Sequence, residues 1–319
     1  MTFAELGIGD ALSPGPRTAP EIAAAIGADA AAAGRFLRAA ELLGLVVRDG
    51  ERYANSELAA RTLTSAGGST QLRAVRREIA FYRRWSHLTE AVRAGARPQE
   101  NLRDERDPNW VRDFTLALYD TARITAPGVV ATMEPLIAGL EHPVSVIDVG
   151  GGHGGYSLEL ARRFPDLHAV VFDLPPVIEV TREIIAGSGL GDRVAARAGN
   201  FHTDPLGSGY DVALLFGVLV SEDDVAGVRL LRAVRESLNP GGIVVVRGLH
   251  AGPGDQAAMT SALFDLQLLL STGHGAARPA GDVVSWMIAT GFEPLTPLDI
   301  AVPVPERLLV GRVPFSNGG

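Results

Sequence analysis

The chain has 319 residues, room for about two domains of ordinary size, and 46% of them are hydrophobic, enough for proper cores. Its net charge of −8 argues against a nucleic-acid partner, because an acidic protein repels phosphate backbones. The absence of cysteine excludes disulfides and thiolate metal sites, and all 29 basic residues are arginine, which excludes any mechanism that needs a lysine amine.

The N-terminal stretch MTFAELGIGD lacks the basic-then-apolar pattern of a signal peptide. The longest apolar run, around residues 212–220, is too short to span a bilayer. A soluble cytoplasmic protein is expected. Residues 1–65 read as short helices followed by a hairpin. Thr18 to Glu21 is a capping box at a helix start, Ile22 and Ile26 share a face, and Gly27 stops the helix. Asp29 is placed to cap a second helix carrying Phe36, Leu37, Leu42 and Leu43, and Asp49-Gly50 signals a hairpin turn. Helix, helix, wing is the winged-helix order. Only Arg35 and Arg38 on the second helix could face DNA, so packing against itself or a partner outweighs DNA binding.

Residues 70–95 predict one long helix. Its arginines (Arg73, Arg76, Arg77, Arg83 and Arg84) read as a solvated face with long stems over apolar surface. A polar loop over 100–109 leads to a second helical stretch, 110–136. From residue 144 short apolar runs alternate with amphipathic helices: 144–149, 168–174, 194–199, 211–219, 242–249 and 306–313. Continuous apolar runs suit a parallel sheet buried on both faces, and the βαβ order makes a doubly wound α/β domain. The expected division is residues 1–140 and 141–319.

IDVGGGHGG, residues 147–155, contains a G-x-G-x-x-G at Gly150, Gly152 and Gly155, with Asp173 at the end of the next strand. That fits a dinucleotide site, but the pattern alone is weak. Asp148 points elsewhere. A carboxylate two residues before the first glycine repels pyrophosphate and attracts a cation, such as the ammonium of an amino-acid moiety. A helical domain of about 140 residues precedes the loop, and NPGG (239–242) follows it between a helix and a strand.

Taken together, IDVGGGHG (147–154), FDLP (172–175), AGNFHTDPL (198–206), the helix after SEDD (221–224) and NPGG resemble the small-molecule O-methyltransferase family over nearly the whole chain. The resemblance implies an all-helical winged-helix dimerisation domain followed by a Rossmann-like domain with a mostly parallel seven-stranded sheet. It implies S-adenosylmethionine (SAM) as cofactor, S-adenosylhomocysteine as product, a small-molecule substrate and a homodimer. Asp148 and Gly150, Gly151 and Gly152 would line the methionine part, Asp173 would bridge the ribose hydroxyls, and Leu174 would also contact the cofactor. Asn200, where the family has aspartate, would face the adenine, with Phe201 packed on the ring and Phe216 also against the cofactor. Trp85, Tyr119, Phe264, Gln267, Leu268 and His274 are candidate walls for the acceptor.

The family pattern fails at the base. Where members carry His-Asp-Trp, this chain has Val220, Ser221 and Glu222, and valine cannot take a proton. Ser221 with Asp224 reads as an S-x-x-D cap, which makes the neighbouring acids structural. The stripe Val225, Val228, Leu231, Val234 and Leu238 continues that helix. Ala277 replaces the glutamate that supports the family's histidine, while Arg278 is kept. His274 and His250 are the candidate replacement bases; no metal set is evident. Loss of a base is tolerable for an acidic hydroxyl or an electron-rich carbon. A second class also fits: an enzyme that binds SAM without transferring the methyl, using the sulfonium as a fixed charge for hydroxylation, decarboxylation or pericyclic chemistry.

Overall fold

A computed structural model describes residues 1–98, 109–141, 143–248, 255–273, 275–300 and 306–315. Contacts divide the chain into two compact units, residues 1–83 with 116–124, and residues 84–115 with 125–319. The second unit thus takes in residues 84–115 and 125–140, which lie N-terminal to the boundary expected at 140. Val129, Val130, Met133 and Ile137 are at most 1% exposed, and this apolar face holds the end of their helix within the sheet unit.

The first unit opens with helices α1 (Thr2–Glu5) and α2 (Ile8–Leu12), strand β1 (Arg17–Thr18), and helices α3 (Ala19–Ile26) and α4 (Ala30–Leu42). The wing is β2 (Val46–Asp49) and β3 (Arg52–Asn55), followed by α5 (Glu57–Thr62) and α6 (Leu72–Trp85). Thr18 and Glu21 form the expected capping box, Gly27 ends α3 in the left-handed region, and Asp29 accepts from the amide of Ala32. β1 joins β3 and β2 in a three-stranded sheet, so this unit is not all-helical. Leu37 is fully buried, but Leu42 and Leu43 are 90% and 75% exposed, because α4 ends there and turns them off its buried face.

The long helix expected over 70–95 is two. α6 ends at Trp85, and α7 (Leu88–Ala94) starts after Ser86 and His87, both middling helix formers. Its arginines are not simply a solvated face. Arg73 pairs with the buried Asp120, and Arg84 is 4% exposed with its guanidinium over the Trp110 ring. A delocalised, weakly hydrated guanidinium tolerates such burial. α8 (Trp110–Ile137) runs unbroken through Pro127 and Pro135.

The remaining elements are β4 (Ser145–Val149), α9 (Gly155–Arg163), β5 (His168–Asp173), α10 (Pro175–Ser188), β6 (Val194–Ala198), β7 (Tyr210–Phe216), α11 (Asp224–Ser237) and β8 (Leu238–Arg247). Then come α12 (Asp255–Ser271), α13 (Ala280–Ala289), β9 (Glu293–Pro294), β10 (Leu298–Ile300) and β11 (Glu306–Arg312). The sheet order is β10-β11-β8-β7-β4-β5-β6, with β9 also on β11. It has eight strands rather than seven; β9 is two residues long and carries no apolar run to announce it. β6, β5, β4, β7 and β8 are parallel, and β11 runs antiparallel to β8. The chain winds outward from β4 in both directions. The crevice at the carboxyl ends of β4 and β7 is therefore the switch point where ligands gather in such sheets. No described helix is long and apolar enough to cross a membrane.

Asp223, not Ser221, caps α11: its carboxylate accepts from the amide of Ala226 at 2.8 Å, and Ser221 sits in the preceding 3-10 turn. The buried face is Gly227, Leu230, Leu231 and Val234, which leaves Val225 79% exposed, and Leu238 already belongs to β8.

Candidate active site

The loop after β4 is held open by glycine. Gly152 adopts φ 53°, and a Cβ there would meet nothing within 4 Å, so a ligand can approach its backbone. Gly151 has the opposite constraint, since a Cβ would lie 2.5 Å from the Asp148 carboxyl carbon. The loop thus lies directly over that carboxylate. Asp148 is 1% exposed; Ser157 donates to its Oδ2 at 2.7 Å, and its Oδ1 has no partner. Burial pushes its carboxyl up to about 7, against the Ser157 hydrogen bond and with the added charge of Asp173. An unsatisfied buried carboxylate oxygen calls for a donor, and an ammonium group supplies one with charge.

Asp173, at the end of β5, accepts from the amides of Gly152 at 2.8 Å and Leu174 at 2.7 Å. Burial raises its pKa, and these two hydrogen bonds oppose the rise. A carboxylate has about four acceptor positions, so two remain for a pair of hydroxyls. Phe201 packs half-buried against the main core. Phe216, at the end of β7, meets Tyr156 edge-on at 5.0 Å. Asn200 is more committed than its sequence position suggests. Its Oδ1 accepts from the amide of His202 at 3.0 Å, and its own amide donates to Asp204 at 2.8 Å.

One polar cluster escaped sequence reasoning. Arg247, ending β8, donates to Glu306 at 2.7 Å and to the Tyr156 hydroxyl, which also bonds Thr125 Oγ1 at 3.1 Å. The one available signal was an arginine at the carboxyl end of an apolar strand. His153, inside the loop, accepts from the amide of Gly155 at 2.9 Å through Nδ1. Burial, with the charge of Arg247, pushes it down to about 4, so it is neutral at physiological pH.

On the acceptor side, Val220 is 6% exposed in the turn after β7. Its carbonyl accepts from the amide of Ala276 at 3.0 Å, so the position of the family's base and the altered 275–278 loop touch through main chain. Ala277 donates its amide to Asp265 of α12 at 2.7 Å. Arg278 holds the start of α11, reaching Asp224 at 2.7 Å and the Glu222 carbonyl at 2.5 Å. His250 and His274 lie outside the described residues. Among the expected walls, Trp85 donates to Gln267 Oε1 at 2.5 Å, and Gln267 donates to Ser271 Oγ at 2.6 Å. Leu268 is buried and Phe264 half-buried, while Tyr119 belongs to the first unit.

Residues 85–293 match the family model for the O-methyltransferase domain, and residues 1–65 match that for the O-methyltransferase dimerisation domain. The chain is 29% identical over 320 residues to 3-hydroxy-5-methyl-1-naphthoate 3-O-methyltransferase of Streptomyces sahachiroi, covering 96% of this chain and 89% of that protein. It is 32% identical over 287 residues to N,N-dimethyltransferase OxyT of Streptomyces rimosus, with 86% and 78% covered. The solved structure of the mitomycin 7-O-methyltransferase MmcR matches 98% of this chain and 92% of that chain, with a TM-score of 0.78 at 26% identity. The chain therefore belongs to the O-methyltransferase family and is a SAM-dependent methyltransferase.

Proposed function

We propose that this enzyme methylates an oxygen or carbon of a small aromatic or polycyclic secondary metabolite without a histidine base at position 220, and works as a homodimer through its first unit. The carrying observation is the contrast at two neighbouring positions: Val220 offers only a carbonyl, already bonded to Ala276, and Ala277 offers no carboxylate. SAM supplies an electrophilic methyl group on a positive sulfonium. Asp148 takes the ammonium, the backbone of Gly150 to Gly152 takes the methionine chain, and Asp173 takes the ribose hydroxyls. Leu174 and Phe216 pack against the cofactor, and Phe201 meets the adenine.

Trp85, Gln267, Leu268 and Phe264 shape the acceptor's place. Orientation is the main contribution of such walls, worth up to roughly 7–11 kcal/mol in the best intramolecular cases. The absent base forfeits about 10²–10⁴-fold, which an acidic hydroxyl or electron-rich carbon does not need. His250 and His274 remain the candidate bases for an acceptor that does. The apolar place at Val220 also favours the second reading, a SAM-bound enzyme that leaves the methyl in place.

Incubation with methyl-labelled SAM and candidate acceptors separates the two readings by mass spectrometry. Label in the product with released S-adenosylhomocysteine is expected. Product that requires SAM yet leaves it unconsumed overturns methyl transfer.

A further inference from the structure

Three acidic residues follow Ser221, and local structure accounts for two. Asp223 caps α11, and Asp224 pairs with Arg278. Glu222 does neither. It is 8% exposed, and its neighbour His202 holds Nε2 3.6 Å from its Oε1, beyond hydrogen-bond reach. Among the described residues nothing donates a hydrogen bond to this carboxylate. This carboxylate is nearly buried and keeps open acceptor positions for a donor.

Its surroundings are fixed. Arg278 holds the Glu222 carbonyl, and Arg229 lies 3.3 Å from His202 Nδ1. A guanidinium can only donate, so His202 accepts at Nδ1 and turns Nε2 toward Glu222. The His202 ring lies 4.4 Å from that of Phe201. Glu222 therefore stands one ring away from the side chain placed against the adenine. Asn200, at the family's usual reading position, has its carbonyl engaged by the His202 amide.

We infer that Glu222, rather than Asn200, reads the exocyclic amino group of the cofactor's adenine by accepting a hydrogen bond from it. This rests on the placement of Phe201 and Asn200 at the adenosine end proposed above. The amino group is a donor and satisfies the carboxylate. The oxygen of the deaminated base, hypoxanthine, is an acceptor and would oppose it. A nearly buried site matched to a hydrogen-bonding group rejects the mismatched one strongly.

The test is calorimetric binding of S-adenosylhomocysteine and S-inosylhomocysteine to the wild type, Glu222→Gln and Asn200→Ala. The wild type is expected to prefer the adenosyl compound by about 100-fold. Glu222→Gln can present its amide oxygen or its NH₂ group, so the preference should fall to within about threefold, largely because the inosyl compound gains affinity. A misfolded variant cannot produce that gain. Asn200→Ala should keep the preference. Full preference in Glu222→Gln, or its loss in Asn200→Ala, overturns the inference while leaving the cofactor placement intact. Failure of the wild type to bind either compound overturns both.

Discussion

The two sides of the crevice are built from opposite materials. At the glycine loop, charge is buried at a cost: Asp148 keeps an oxygen without a partner and Asp173 is pushed upward by burial. Across from it, around Val220 and residues 275–278, the main-chain groups are engaged: Ala276 donates to the Val220 carbonyl and Ala277 to the Asp265 carboxylate. A protein tolerates buried, under-satisfied charge where a ligand will complete it. The first side is thus prepared for a defined charged cofactor. In the proposed reading, the second holds an acceptor in place without a base at position 220. On this reading cofactor binding and acceptor activation are separable, and mutations should split accordingly.

The largest expected effect lies on the cofactor side. Asp173→Ala removes the acceptor for the amides of Gly152 and Leu174 and, in the proposed cofactor placement, for the ribose hydroxyls. Each hydrogen bond to a charged group is worth about 1.5–3 kcal/mol, so S-adenosylhomocysteine should bind about 100-fold or more weakly by calorimetry. Binding within about threefold of wild type would show that the ribose is held elsewhere, and the contrast between the two sides would weaken.

How far this contrast was legible in the sequence follows from what each side is made of. Asp148, the glycines and Asp173 are side-chain and chain-order signals, and apolar runs mark strands, so the parallel sheet and the residues of this half of the candidate site could be picked out directly. Caps were legible where one residue type decides them, at Thr18 and Asp29. At α11 two cap candidates competed, and the turn ending at Ser221 shifted the start to Asp223. Asn200's engagement with His202, the Arg247 and Tyr156 pair, and the burial of Arg84 depend on which elements pack together. Spacing carries no trace of that. Nor does it reveal β9, whose pairing with β11 is set by the register of Gly311 and Arg312.

An intermediate effect sharpens the comparison through pH. The Asp148 carboxyl titrates near 7 in the folded chain, above its ordinary value of 3.8. The folded protein thus binds more protons than the unfolded chain between those values. Stability contributed by this group is fully present below pH 3.8 and is lost as pH rises toward 7. With Asp148 as the proposed partner of the cofactor's ammonium, cofactor binding has the opposite sign, because an ammonium needs the carboxylate ionised. Affinity should improve by nearly tenfold per unit as pH approaches 7 from below, then level off. Asp148→Asn keeps a partner for Ser157 but removes the charge. It should weaken S-adenosylhomocysteine binding by about tenfold, flatten that pH profile, and leave thermal stability at pH 8 equal or higher. A pH profile that stays steep in the variant would assign the proton to another group.

The smallest effect is expected where the family pattern would predict the largest. Val220→His restores the family's residue at the family's place. If the wall only orients an acceptor that is already reactive, turnover of the acceptor found in the labelled-methyl assay should change less than about threefold, because no slow proton transfer is relieved. The new imidazole would also lack an orienting acid, since Ala277 has no carboxylate, so Val220→His with Ala277→Glu is the sterner form of the experiment. A rise of about 100-fold or more in the double variant would mean that the acceptor is an ordinary hydroxyl and that loss of the base limits the natural enzyme. The two sides of the crevice would then differ only in how completely each has kept the chemistry of its family.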